Sequence, residues 1–461
     1  MSSPLTPEPA SSDQSSATPT FLQHSPPRSP ESQKAGLFSY ENKLTILFMF
    51  TIGLVCFDRL AINFLIPYIQ EDLDLNNTQV GMLAAAAALT WSVTAIVGGR
   101  LSDKVKSKRN YLVALITAFS LASMLQGFAG SFVHLVILRL LMGVFEGPVA
   151  PVSQSVLAIE SSPHRRGFNL GMAMSTGQGL FGAILAPIVV VALAEQFDWR
   201  NAFFFTLLPG LILAGFVWKI MREPEPRDTD GQAFATERHE SHSRSEIGTI
   251  LRNRNVMLGV TMFTGFMVFA MVFQVYSPLY LTSVHGLSPT VMSFIMAAFG
   301  VGAALWGFTV PLISDYIGRK PTAFFFALIS AFGPLAIIFL DGPIILGISM
   351  FIFSAGMADG GMSATVIPAE AVPPSMAGLA VGIPIGLGEL IGGFGGPLIA
   401  GIAGDAFGLQ AALLVASCGA LLCSFAALFL RETAPRIIAK QNPEVAVAVS
   451  EPMESEQVPV K

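Results

Sequence analysis

The chain has 461 residues, of which 52% are hydrophobic and 12% charged, with a mean hydropathy of +0.62 and a formal net charge of −5. A soluble globular protein carries about 25% charged residues, so this composition, with its charge confined to short stretches between long apolar runs, excludes an ordinary soluble protein. No basic surplus points to nucleic acid.

In chain order, residues 1–40 open as MSSPLTPEPASSDQSSATPT, a Ser/Pro-rich composition that reads as a disordered cytoplasmic tail and not as a cleavable signal peptide. Twelve apolar runs follow, each near the roughly 20 residues a bilayer core demands of a helix. They span about 44–68, 78–99, 110–130, 132–158, 168–194 and 201–220, then 255–282, 289–313, 321–340, 342–368, 376–403 and 408–430. The expected fold is therefore an all-α polytopic membrane protein with two six-helix halves, 41–220 and 255–430. A polar linker, 221–254, joins them, and a second polar tail covers 431–461. His239 and His242 in that linker read as solvated, and no metal site or cofactor is expected. Cys56, Cys418 and Cys423 sit in apolar runs and read as small packing residues. No P-loop and no catalytic constellation occurs, so neither ATP-driven transport nor an enzyme is expected.

Basic loop residues set the orientation. With both termini cytoplasmic, Arg200 alone among the loop cations falls outside, while Arg59 and Arg139 lie within helices. Glu370, near the cytoplasmic end of the tenth helix, reads as solvated.

An ionisable group at the centre of a bilayer costs roughly 2.5–3.5 kcal/mol, so each one marks a candidate site. They are Asp58 and Arg59 in the first helix, Arg139 and Glu146 in the fourth, Asp359 in the tenth and Glu389 in the eleventh. At about 1.5 Å rise per residue, Arg59 lies about 13 Å and Arg139 about 10 Å from the outer face. Two guanidinium forks at one level form a clamp for an organic anion. Glu146 returns to nearly the face of Arg139 about 10 Å closer to the cytoplasm, a proton site beneath an anion site, whereas Asp58 is turned about 100° from Arg59. Internal ion pairs fastening the helices are the bland alternative. Glu389 is a second proton site, a substrate contact or a packing residue, and Asp359 stands alike. In the second half Phe273, Gln274, Tyr276 and Trp306 are candidates to contact the uncharged body of the substrate.

The halves also repeat. GRLSDKVKSKR (Gly99–Arg109) follows the second helix and PLISDYIGRK (Pro311–Lys320) the eighth, and Pro187 and Pro397 recur in the fifth and eleventh. Glu389 corresponds to Gln178. A small-residue stripe, Gly388, Gly392 and Gly396, flanks the one, and a second stripe, Gly171, Ser175, Gly179 and Ala183, flanks the other.

This pattern resembles the major facilitator superfamily over about residues 44–430, with an acidic-then-basic loop after the second helix of each half. The first copy keeps Gly99, Asp103 and Lys104 but has Lys106 where the second glycine belongs. The other has Pro311 and Tyr316 but keeps Asp315, Gly318, Arg319 and Lys320. The resemblance implies a gating loop at these residues. CFDRLAINFLIPYIQEDLDLNNTQVG followed by LRLLMGVFEGPVAP is similar to the anion:cation symporter branch. That similarity implies substrate carboxylate binding and proton coupling at Asp58, Arg59, Arg139 and Glu146. A spinster-like lipid transporter shares an acidic residue and Arg in the first helix and Glu in the fourth. Helix 5 reads GLFGAILAP where drug antiporters carry a Gly-Pro-Gly-Gly-like run, which disfavours proton-driven efflux. The expectation is a monomeric cell-membrane symporter of a small organic carboxylate and protons.

Overall fold

The computed structural model describes residues 39–102, 104–162, 164–223, 244–373 and 376–441. The linker histidines His239 and His242, Asp103 of the first loop and most of both tails lie outside the described residues. Twelve long helical runs make up the fold, and no strand occurs among the described residues. They are α1 Tyr40–Leu73, α2 Asn77–Ser102, α3 Lys108–Gln126, α4 Phe132–Glu160, α5 Arg166–Phe197, α6 Trp199–Ile220, α7 Arg254–Ser283, α8 Pro289–Ile317, α9 Arg319–Phe339, α10 Pro343–Glu370, α11 Ala377–Phe407 and α12 Leu409–Ala427. Eleven are long and apolar enough to cross a bilayer; the twelfth, α3, is diluted by the Lys108, Arg109 and Asn110 of its first turn. Ile96, Val97, Leu208, Phe308, Leu312, Ile344 and Phe425 are exposed apolar side chains on these helices, as lipid-facing surfaces require.

Local chemistry explains where the helices begin. Ser107, Ser131, Asn253 and Ser288 each accept a backbone N–H of the first turn of α3, α4, α7 and α8, contacts worth about 1 kcal/mol apiece. Asn76 and Gln79 form a reciprocal pair at the start of α2, each side-chain oxygen accepting the other's backbone N–H.

The repeat read from the loop motifs reappears in the backbone. Asp74 and Gly286 have φ of 50° and 65°, and Asp198 and Gly408 have φ of 78° and 89°. Asp74 and Asp198 thus carry side chains in the left-handed region where their counterparts are glycine. α5 and α11 both widen into a π-helical turn at corresponding residues, Gln178–Leu185 and Glu389–Phe394. α4 and α10 are both interrupted midway, by the Gly147–Pro148 turn and by a 3-10 segment at Ser354–Ala358.

A second correspondence lies at the end that carries the basic loops. Glu223, just past α6, accepts the Lys108 N–H and pairs with the Ser107 hydroxyl and with Arg109 at 4.0 Å. Glu432, just past α12, accepts the Arg319 and Lys320 N–H groups at 2.7 and 3.2 Å. Each half therefore clasps the start of its third helix to the end of its sixth.

Contacts across the halves lie at the other end. The Tyr276 hydroxyl, fully buried on α7, sits 3.0 Å from the Asn77 carbonyl of α2 and 3.1 Å from the Pro397 carbonyl of α11. Asp405 of α11 accepts the Asn77 and Thr78 N–H groups at 2.8 and 2.9 Å and the Thr78 hydroxyl at 2.5 Å. Thr290 of α8 donates to Glu195 of α5. Nearer the middle, a side chain at Gly300 of α8 would stand 2.2 Å from the Ala183 carbonyl of α5, so these two helices touch backbone to backbone.

Candidate functional site

Two helices bring the first-half charges together. α4 lies tight against α2 along Gly143 and Gly147, where an added Cβ would stand 2.2 and 2.3 Å from the Thr90 and Thr94 hydroxyls. The Thr94 hydroxyl donates to the Gly143 carbonyl at 3.0 Å. Arg139 is one turn from Gly143 on that face, so close packing turns it inward.

Arg139 is 2% exposed. Its Nε donates to the Leu83 carbonyl at 3.4 Å and its Nη2 to the Arg59 carbonyl at 3.5 Å. Both bonds are at the long limit, and Nη1 has no acceptor at all. The Arg139 side chain thus reaches the backbone of α1 at Arg59.

Arg59 turns from α1 toward α2 and α11. Its guanidinium carbon lies 4.7 Å from the centre of the Trp91 ring, a cation–π contact, and its Nη2 lies 3.8 Å from Glu389 Oε2. Neither Nη2 nor Oε2 makes a hydrogen bond. Glu146 is 1% exposed and Asp58 is fully buried. Neither carboxyl oxygen of either residue meets a donor at hydrogen-bonding geometry, although the Ser123 hydroxyl of α3 approaches Asp58. Glu146 lies within charge range of Arg59 and Arg139, and Asp58 within range of Glu146 and Arg139. The structure thus gathers Asp58, Arg59, Arg139, Glu146 and Glu389 into one buried cluster.

Other candidates stand elsewhere. Gln274 turns back to donate to the Ala270 carbonyl of its own helix, and Tyr276 is engaged in the seam with α2 and α11. Phe273 stacks with Phe269 and meets Phe299 at a tilt, and the Trp306 indole donates to the Phe351 carbonyl. Asp359 is 1% exposed with neither oxygen hydrogen-bonded.

At the loop residues, Arg319 pairs with Asp315 at 2.6 Å and with Glu370 at 2.9 Å, and also contacts the Ser314 hydroxyl. Gly318 has φ 110° and sits beneath Glu432, where a side chain would collide with the carboxylate. In the first copy Lys104 is exposed, and a Cβ added at Gly99 would stand 3.9 Å from Pro151, ordinary contact. Glu370 is exposed, as expected, and in addition its carboxylate accepts from Arg319 and from the Thr433 hydroxyl. The small-residue stripes also resolve. Gly388, Gly392 and Gly396 all pack on α7, whereas in the other stripe Gly171 faces open space, an added Cβ at Gly179 would stand 3.7 Å from Ala304 of α8, and Ala183 lies against Gly300 of α8.

Sequence reasoning missed Trp91, Ser123, Asp405 and the Glu223 and Glu432 clasps. Only the clasps had a signal, the Arg-Glu pair recurring as Arg222-Glu223 and Arg431-Glu432 after each sixth helix.

Residues 48–384 match the model of the Major Facilitator Superfamily. The chain belongs to this superfamily. It is 31% identical over 291 residues to a hexuronate transporter of Bacillus subtilis, covering 62% of this chain and 67% of that one. It is 29% identical over 189 residues to a D-galactonate transporter of Escherichia coli O6:H1, covering 41% of this chain and 43% of the relative. Among solved structures, a D-xylose-proton symporter superposes with a TM-score of 0.68 at 20% identity, over 86% of this chain and 99% of that one. These proteins are transporters and so is this superfamily member; it is not an enzyme.

Proposed function

We propose that this superfamily member is a proton-coupled symporter of a small organic carboxylate, working by alternating access between its two six-helix halves, 41–220 and 255–430. The observation that carries the reading is the pair of guanidinium groups, Arg59 and Arg139, each with a buried N–H that no protein acceptor takes. A substrate carboxylate seated between them receives charge-assisted bonds from both forks. Asp58 and Glu146 stand beside this clamp as proton carriers. Their protonation on loading keeps the cavity near neutral, which a low-dielectric interior favours. The named relatives move a hexuronate and a galactonate, and that sugar acids are carried supports the same chemistry.

In this reading the basic loops and both termini face the cytoplasm. The seam of Tyr276 and Asp405 then closes the outer side, and the conformation is the one open inward. The pairs of Arg319 with Asp315 and Glu370, next to Gly318, belong to a gating loop, and the sequence motif of Gly99, Asp103 and Lys104 marks the gating loop of the other half. The working unit is a monomer. Gln274 and Tyr276 serve the substrate indirectly, Tyr276 by holding the seam.

The test is uptake into proteoliposomes of labelled D-glucuronate, D-gluconate, benzoate and lactate, with and without an inward proton gradient. Arg139→Ala is expected to abolish uptake, and Glu146→Gln to spare exchange while ending gradient-driven accumulation. Accumulation that persists in Glu146→Gln refutes its proton role. Transport of an amphipathic lipid in place of every acid refutes the anion reading in favour of a spinster-like activity.

A further inference from the structure

We propose that Glu389 is a built-in competitor for the substrate carboxylate at Arg59, holding the guanidinium when the site is empty and yielding it when substrate binds. The inference rests on the reading of Arg59 as an anion site, and adds a residue of the second half to its energetics.

Glu389 Oε2 faces Arg59 Nη2 at 3.8 Å, a separation that gives charge attraction without a hydrogen bond. Side-chain exposure is 17% for Arg59 and 9% for Glu389, so water screens the pair little. A carboxylate arriving from outside can approach the fork at about 2.7–2.9 Å and make the bonds that Glu389 does not. Exchange therefore gains hydrogen bonds for the arginine while Glu389 gives up a long contact. When substrate leaves, Glu389 retakes the guanidinium, so the arginine is never left buried and bare, the state that costs most. The pair spans α1 and α11, and Glu389 opens the π-helical turn Glu389–Phe394 packed on α7, a local widening of the kind found at functional positions. The corresponding residue of α5 is the neutral Gln178, so the competing charge exists on one side only. Glu146 also lies in charge range of Arg59, but among the described residues Glu389 is the carboxylate that comes within 4 Å of that fork.

Removing the competitor tightens binding and slows release. Glu389→Gln and Glu389→Ala are expected to lower the half-saturation concentration for D-glucuronate or D-gluconate uptake about tenfold, equivalent to about 1.4 kcal/mol, and to lower the maximal rate. A half-saturation concentration that is unchanged or raised overturns the proposal and makes Glu389 a substrate ligand or a packing residue. A wild type that moves none of the acids overturns the anion reading itself, and the competition with it. Loss of folding is controlled by a thermal-unfolding cycle of Arg59→Gln, Glu389→Gln and the double variant in detergent. Non-additive shifts are expected, and additivity overturns the pairing.

Discussion

Asp405 offers the sharpest test of how the halves are held closed. Its carboxylate reaches from α11 to the first turn of α2, accepting the Asn77 and Thr78 N–H groups and the Thr78 hydroxyl. Asn76, just before the helix, takes the next N–H, of Gln79. Asp405→Ala thus strips two N–H groups at the positive end of a helix dipole, and these bonds exist only while the two halves meet there. Hydrogen bonds to a charged acceptor contribute about 1.5–3 kcal/mol net. Because Asp405 is exposed and water can replace part of the loss, the whole contact is set at that same range for the three bonds together. That shifts the balance between closed and open seams roughly 10- to 150-fold toward open. Spin labels at Glu71 and Ser283, exposed near the seam ends of α1 and α7, read the change as a longer inter-label distance. An unchanged distance distribution in a variant that remains folded refutes the assignment of Asp405 as a latch.

Two further outcomes follow from packing and capping. Gly143→Leu drives a side chain into the Thr90 hydroxyl and the Ala87 carbonyl, 2.2 and 2.7 Å from the ideal Cβ. It is expected to cost about 1–3 kcal/mol and, by displacing α4, to lose uptake; Gly171→Ala, which meets nothing, leaves thermal stability and uptake intact. Glu432→Ala is expected to lower the unfolding temperature more than Glu223→Ala. Glu432 receives the N–H groups of Arg319, Lys320, Thr433 and Ala434 in part-buried surroundings, whereas the Glu223 contacts are exposed. Equal shifts refute that ranking.

The twelve runs were legible because a bilayer imposes one length and one composition on every spanning helix. The arginine pair was legible for a related reason: charge in hydrocarbon is rare enough that Arg59 and Arg139 stood out singly, and rise per residue placed them at one depth. What composition cannot convey is partnership. Glu370 looks like any loop-proximal carboxylate until α8 and α9 present Arg319 to it. Tyr276 looks like a substrate-facing aromatic, yet its hydroxyl is held by two carbonyls of other helices. Trp91 carries no charge, and its position over Arg59 depends on how α2 is rotated by the glycines of α4. Such pairings come from tertiary packing, which a single sequence records only through repeats, as in the two Arg-Glu clasps.

Those clasps bear on how the two halves relate. Glu223 and Glu432 do the same task at matched places, so each six-helix half carries its own fastening. The intramembrane charges have no such twin: Phe269, Ala270 and Met350 stand at the positions corresponding to Asp58, Arg59 and Arg139. The two halves thus share their fastening and differ in their intramembrane charge. A gene cut within residues 224–243 separates two pieces that each keep their own fastening, and co-expression of the pieces is the natural way to ask whether each half still assembles with its sister.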